Sequence, residues 1–563
     1  MRHSCFTVSG KPFFSLGGQV HNSSSYPIGG IGEGKAGEDA ERSFQSVRAI
    51  GGNTIAVPVC WDAFEPEEGV YNTGYVHAII DAIRSHGLHG ILLWFGTWKN
   101  GQMEYTPAWV KKDRERFPRV LCKDGTETTV LSPHSRNNLE KDAQAFCELM
   151  KIVKEYDEKR ETIIAVQVEN EPGIFAATRR DFSAQGTAAF SQEVPEDIRQ
   201  LAQSEDAGAV HESWLKNGGA GRGSWKEMFG SFGAELCTAW AIASYIDEIA
   251  ARGKAVRDIF MYTNVWMDRN SMHGWNLAGL EYPCGGAVSK CLPLWQCVCG
   301  HLDALCPDIY EMNPDTVRRA YDIYDGKGKG WPLYVPESGL TSVNATCMFD
   351  AVGGHKAVGY HVFGIESCLD ENGELKASAI PIMHSFAMLQ AASELLYDSR
   401  VLRTAVFCQS LGQDSQYLEI AGRRCRVSFA GVGTDYAGWV PLDYHHNRDL
   451  EGLSRLPVSL TEETARGMLF CVSENEFYLV GHKVRLFFTG AEPEDGSIPV
   501  NWLNGQHLAH NMEFLCLEEG HFEDGCFVVD RVRSGDEARH GIWAQYDCGV
   551  VHFVLNGNKK IYG

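Results

Sequence analysis

The sequence predicts a (β/α)8 barrel followed by a smaller all-β C-terminal domain. Three observations carry this. Continuous apolar runs alternate with helical runs up to about residue 400, the pattern of a parallel sheet covered on its outer side. No glycine-rich phosphate fingerprint follows the first strand, because "GGIGEGKAG" (29–37) lacks the spacing and strand-to-helix context and reads as a loop, so the doubly wound alternative falls away. Past Leu396 and Tyr397 the texture changes to short alternating segments bounded by Gly, Asn and Asp.

The elements follow in chain order. "KPFFSLGGQVH" opens the series and "NTIAVPV" is the second strand. "GYVHAIIDAIRSHG" then places Val76, Ile79, Ile80 and Ile83 on one helical face and stops at Gly87, which suits a C-cap. "HGILLWF" is the third strand, "NLEKDAQAFCELMKIVKEY" a long amphipathic helix, and "ETIIAVQVEN" the fourth strand. A long insertion, about 174–230, contains the flexible "NGGAGRGSW". Insertions of this length either cover an active site or are tolerated surface additions. "FGAELCTAWAIASYIDEIAARGK" is a helix, and "DIFMYTNVW", "LDALCPDIYEM", "WPLYVPESG" and "AVGYHVFGIE" are strands five to eight. "AIPIMHSFAMLQAASELL" closes the series as a helix. The expected division is a barrel over 1–398 and a β-rich domain, of sandwich type, over 399–563.

The formal net charge of −22 argues against nucleic acid or an anionic membrane surface as partner, since both need basic patches. No apolar run is long enough for a membrane span or a signal peptide. With 18 cysteines and no export signal, the expectation is a cytoplasmic protein with reduced thiols. Cys284, Cys291, Cys297, Cys299 and Cys306 cluster, but lack the paired spacing of a zinc site, so free thiols and no metal are expected.

In a (β/α)8 barrel the site lies at the carboxyl ends of the strands. Those ends carry Gln19 and His21, then Trp61, Asp62 and Glu65, then Trp94, Trp98 and Lys99, then Glu169, Asn170 and Glu171. Asn264 and Trp266 follow, then Asp308, Tyr310 and Glu311, then Glu337, then His361 and Glu366. Such a lining suits a sugar, with aromatic faces against C–H patches and carboxylates and amides on hydroxyls. Two carboxylates stand out, Glu171 after strand four and Glu337 after strand seven, because opposed strands let acids face each other across the barrel mouth. Retaining glycoside hydrolysis needs such a pair, about 5–5.5 Å apart. His21, Trp61, Asp62, Trp98, Lys99, Trp266 and Glu366 are the remaining candidates for sugar contact; a histidine here also fits a structural role, and a barrel rim also needs aromatic filling.

The stretches "VQVENEPG" and "YVPESG" resemble the acid/base and nucleophile strands of the large (β/α)8 clan of retaining glycoside hydrolases. The resemblance implies Glu171 as proton donor, Asn170 as the holder of the sugar 2-hydroxyl, Glu337 as nucleophile and Tyr310 as its tyrosine neighbour. Within the clan, "GGQVH", "GGNTIAVPVCWDAFEPEEGVY" and "GLHGILLWFGTWKNGQMEYTPAWV" are most similar to glycoside hydrolase family 35, the β-galactosidase family, in a divergent bacterial branch, and more loosely to family 42. Pro58, Asp62 and Phe64 depart from the family-35 pattern at strand two. Lys99 and Asn100 stand roughly where that family has a galactose-binding glutamate. The resemblance therefore implies an exo-acting retaining β-glycosidase on a small saccharide, needing no cofactor and assembled as a homo-oligomer. The donor sugar stays open between galactose and glucose, and so does the choice between hydrolysis and glycosyl transfer. A non-catalytic sugar-binding barrel is the contrasting class, and the presence of both glutamates argues against it.

Overall fold

The computed structural model describes residues 2–32, 36–269, 276–326, 330–429, 459, 461–489, 502–503, 506–507, 512–533 and 541–560. The chain divides into two compact units. The first is Met1–Arg48, Gly52–Gly339 and Val358–Gly373; the second is Ala49–Gly51, Leu340–Ala357 and Glu374–Gly563.

The first unit is built on a parallel sheet of seven strands: Ser15–Gln19, Thr54–Cys60, His89–Lys99, Ile163–Asn170, Phe260–Val265, Ala304–Pro307 and Gly359–Phe363. The first six pair in sequence order, and Gly359–Phe363 pairs back onto Ser15–Gln19. The seventh barrel position belongs to the extended segment 331–339, held by isolated parallel bridges, Ile309 to Ser338 on one side and Val335 to Tyr360 on the other. Ile309 N–H donates to Glu337 O at 2.8 Å and His361 N–H to Val335 O at 2.8 Å, which closes the ring. The segment is not a continuous strand because Pro332 and Pro336 have no N–H to give to a ladder. Its last residues nonetheless carry Glu337 to the same rim as the ends of the regular strands.

The strands are apolar throughout because both faces are covered: all seven residues of Thr54–Cys60 and all eight of Ile163–Asn170 are buried. The helix Thr73–Ser85 buries Val76, Ile79, Ile80 and Ile83, each contributing about 1.5–3 kcal/mol of apolar burial. The Asn72 side chain caps its start by accepting from Tyr75 N–H at 3.1 Å, and Gly87, at φ +67°, turns the chain just past its end. Arg136–Asp157 and Gly233–Val256 are the long helices flanking the fourth strand, the former capped by the Ser135 side chain.

The 174–230 insertion folds into four short helices, Ala184–Ser191, Glu196–Ala202, Ala209–Lys216 and Trp225–Phe229. The last of these starts with a reciprocal cap between Ser224 and Glu227. In the 29–37 loop, Gly30 turns the chain at φ +77° and a helix begins at Ala36, while residues 33–35 lie outside the described residues.

The second unit holds a six-stranded and a four-stranded sheet, both antiparallel, whose inner faces share one core. Phe407, Leu469, Phe477 and Phe553 contribute from the larger sheet, and Cys425, Leu486 and Phe488 from the smaller. Helices Ser342–Phe349 and Ile380–Ala391 fall within this unit, although the sequence pattern joins the second of them to the α/β series. Buried Arg466 fixes the second of them, donating from Nε to Ser385 Oγ at 2.7 Å and from Nη2 to Pro381 O at 2.7 Å.

Candidate active site

At the carboxyl ends of the first unit's strands lies a cavity of about 250 Å³, walled among others by Lys99, Glu171, Trp266, Asp308, Tyr310 and Glu337. These residues come from strands three to seven, so the barrel alone assembles the site. Among the described residues, Asn22, Asn100, Met267, Glu311 and Phe363 also line it, and no residue of the 174–230 insertion does.

The fourth strand ends in two residues with left-handed backbone, Glu169 at φ +62° and Glu171 at φ +45°. Such conformations cost about 1–3 kcal/mol each and persist only where surroundings enforce them. Here the enforcement is visible. Glu169 turns away from the cavity and accepts from Thr97 N–H at 3.1 Å and Trp98 N–H at 2.6 Å. Glu171 turns the other way, and its own N–H donates to Asn264 Oδ1 at 2.9 Å. Gly96 permits the first arrangement: a Cβ there would stand 2.6 Å from the Glu169 carboxylate and 2.3 Å from Trp94 Nε1.

Glu171, Asp308 and Glu337 each place one carboxylate oxygen within 4.8 Å of the others, all buried. Burial, and next the charge of Glu337, push the Glu171 carboxyl up to about 6, against the opposing pull of the Lys99 ammonium. Glu337 sits among donors: Tyr310 O–H to Oε2 at 2.7 Å, and Asn264 Nδ2 and Asn170 Nδ2 to Oε1 at 3.2 and 3.4 Å. Asn264 is the hub, tied to Glu171 through its oxygen and to both Glu337 and Asp308 through its amide nitrogen. One carboxyl that tends to hold a proton thus faces one surrounded by donors, the division of labour that double displacement at a glycosidic carbon requires.

The structure brings Glu171, Glu337, Tyr310, Lys99 and Trp266 together at this cavity, with Asn170 buried beside Glu337. Asn170 Oδ1 is buried without a hydrogen-bond partner among the described residues. The other candidates lie elsewhere. Trp61 is fully buried, donates to Glu65 Oε2 at 2.7 Å and packs edge-on to Trp109. Asp62 accepts from Tyr26 O–H at 3.1 Å. Trp98 packs on Tyr245, with ring centres 4.8 Å apart. Glu366 accepts from His21 N–H at 3.1 Å and from Ser43 O–H at 2.9 Å, while the exposed His21 ring meets Ser367 Oγ at 3.2 Å. Asn264 and Asp308 stand at strand ends in the sequence, which was the available signal for them. Their centrality is visible only once strands four to seven are side by side.

Elsewhere, His384, Glu463 and His482 bring potential ligand atoms within 4.8 Å in the second unit, as do Cys516, Glu518 and His552. Glu463 Oε1 already accepts from Arg466 Nη2 at 2.9 Å and faces His384 Nδ1 at 2.8 Å, so the first group is filled by an internal ion pair. The cysteines between 284 and 306 form no such group among the described residues.

Residues 33–217 match the family model of glycoside hydrolase family 42, described as beta-galactosidase. The N-terminal region is a glycoside hydrolase domain. The matched stretch holds Lys99, Asn170 and Glu171, and the match is to the family to which the sequence shows the looser of its two resemblances. Residues 382–545 match a domain of unknown function, DUF5597. No curated protein matches the sequence. Similar solved structures include the catalytic domain of a β-amylase from Paenibacillus polymyxa, at 13% identity and TM-score 0.47, covering 66% of this chain and 97% of that one. A β-galactosidase from Rahnella sp. R3 has 15% identity and TM-score 0.46, covering 69% of this chain and 57% of that one. A β-galactosidase from Bacillus circulans sp. alkalophilus has 15% identity and TM-score 0.45, covering 69% and 58%. The chain thus spans less than two thirds of the length of these two β-galactosidases. Among the described residues no helix is long and apolar enough to cross a membrane.

Proposed function

We propose that the protein is an exo-acting retaining β-glycosidase of the β-galactosidase kind, removing a terminal β-linked sugar from a small saccharide. The observation that carries this is the pairing of Glu171, pushed up to about 6, with a donor-surrounded Glu337 inside one 4.8 Å cluster at the barrel mouth. Glu337 attacks the anomeric carbon while Glu171 protonates the departing glycosidic oxygen, giving a glycosyl ester and the free aglycone. Glu171 then takes a proton from water, the water oxygen bonds to the anomeric carbon, and the carboxylate of Glu337 leaves. Asn170 holds the 2-hydroxyl, Tyr310 and Asn264 steady the nucleophile, and Trp266 offers a face to the sugar. The reaction needs no cofactor. A cytoplasmic homo-oligomer acting on imported oligosaccharides is the setting we propose.

The second reading is a β-glucoside-acting hydrolase or a transglycosylase using the same two glutamates. Lys99 favours it, because it brings an ammonium into a cavity where family 35 has a galactose-binding glutamate. A panel of nitrophenyl β-galactoside, glucoside, fucoside, xyloside and arabinoside decides the donor, and oligosaccharide products from a single donor would indicate transfer. The mechanism is tested with Glu337→Gly. Turnover falls on the order of 10⁴-fold, and azide restores it with an inverted glycosyl azide product. Full activity without azide would sink the assignment.

A further inference from the structure

Asp308 is a third carboxyl in the cluster, and the two-glutamate mechanism gives it nothing to do. It is buried in the cavity wall with one oxygen, Oδ2, accepting from Asn264 Nδ2 at 2.8 Å. The other, Oδ1, is buried and no protein donor among the described residues reaches it. A carboxylate oxygen of Asp308 lies within 4.8 Å of one from Glu171 and one from Glu337, all buried, a crowding of three acids that disfavours charge on all of them. Glu171 and Glu337 face it as acids, and among the described residues the Lys99 ammonium opposes these three carboxyls. The Tyr310 phenol beside it, and the Cys306 thiol and the Tyr262, Tyr324 and Tyr334 phenols that also face Asp308, are pushed well above their ordinary values by burial and stay neutral. Glu311, also on the wall, has Oε1 engaged by Met312 and Asn313 N–H.

We propose that Asp308 is a positioning residue that stands as a neutral carboxylic acid and donates its O–H to Glu171, steadying the carboxylate that Glu171 becomes after protonating the leaving group. The proposal rests on the glycosidase reading above for the role of Glu171. Charge bookkeeping supports it at both stages of the reaction. Before the first step Lys99 balances ionised Glu337, with Glu171 and Asp308 both neutral. After it Glu337 is an ester and Lys99 balances ionised Glu171, again with Asp308 neutral. An ionised Asp308 would leave an uncompensated buried negative charge at each stage. The direction of the Asp308 shift, well above the ordinary carboxyl range through burial and then the charges of Glu337 and Glu171, agrees with the geometry. No proton leaves Asp308 in the cycle; its hydrogen bond shortens when Glu171 acquires charge.

The test compares Asp308→Asn and Asp308→Leu with the unmodified chain. If Asp308 is neutral, Asp308→Asn replaces one neutral donor by another, and the alkaline limb of kcat/KM stays within about half a pH unit whatever the loss in rate. A downward move of about a unit or more means a negative charge was removed from beside Glu171, and overturns the proposal. Asp308→Leu removes the donor, so its kcat on nitrophenyl glycosides, where Glu171 must act as base, falls about tenfold or more below that of Asp308→Asn. Equal kcat values for the two variants would also overturn it. Infrared difference spectra keep the question open to measurement even in inactive variants. In the spectrum of the unmodified chain minus that of Asp308→Asn at pH 7, an un-ionised carboxyl carbonyl band is expected, and a carboxylate band in its place overturns the proposal. If Glu337→Gly shows no azide rescue, the glycosidase reading fails, while the infrared band still reports on Asp308.

Discussion

Two buried carboxyl clusters flank the same tripeptide, Glu169–Asn170–Glu171, and only one of them opens on a cavity. On one side Glu169 and Asp142 share a sealed site. Asp142 accepts from Trp94 Nε1–H at 2.8 Å, and the pair between them holds Thr97 and Trp98 N–H. On the other, Glu171 shares a cavity wall with Asp308, Glu337 and Lys99. Both clusters have raised carboxyls, first through burial. Perturbed ionisation therefore does not by itself mark a catalytic acid. Access to a cavity and, in the proposed reaction, a partner that changes charge distinguish the second cluster from the first, a sharpening of the usual link between shifted groups and function.

Substitutions can break that contrast, beginning with the largest expected effect. Glu171→Ala lowers kcat/KM by roughly 10²–10⁴-fold on glycosides with poor leaving groups and far less in the first step of nitrophenyl substrates, which burst kinetics against leaving-group acidity will read. Next comes Tyr310→Phe, which removes the 2.7 Å donor to Glu337 and lowers kcat by about tenfold to a hundredfold. Glu169→Gln acts on the sealed cluster: it costs about 1–3 kcal/mol, seen as a lower melting temperature, while kcat/KM stays within about tenfold. His21→Ala, at an exposed ring bonded to Ser367, changes kcat/KM by no more than about twofold.

The two clusters also separate by pH. Glu171 must be protonated to act as acid, so kcat/KM falls as pH rises through about 6. Glu169 and Asp142 have folded-state values raised above their unfolded ones. Their contribution to stability is full at low pH and is lost as pH rises through the folded values, so melting curves lose stability with rising pH independently of the activity limb.

The barrel was legible because a strand covered on both faces writes itself as an uninterrupted apolar run, as in Thr54–Cys60 and Ile163–Asn170. The seventh position was legible from "YVPESG", although its prolines leave only isolated bridges. At the site, acidic and amide residues at strand ends were readable, and Glu171, Glu337, Tyr310, Lys99 and Trp266 do meet at the cavity, with Asn170 bonded to Glu337 beside it. Tryptophan was the poorer guide. Trp61 and Trp98 stand at strand ends exactly as a sugar-stacking residue would, but a large apolar ring is equally suited to filling the core, and the partners that decide it, Trp109 and Tyr245, are distant in sequence. Asn264 as a hub was illegible for a similar reason, since it acts through three residues on three other strands.

The central claim is that Glu171 and Glu337 act by double displacement, and product stereochemistry tests it most directly. Proton NMR of the first sugar released from a β-glycoside substrate accepted in the panel should show the β-anomer forming before mutarotation. Initial release of the α-anomer would mean single displacement and would contradict the account.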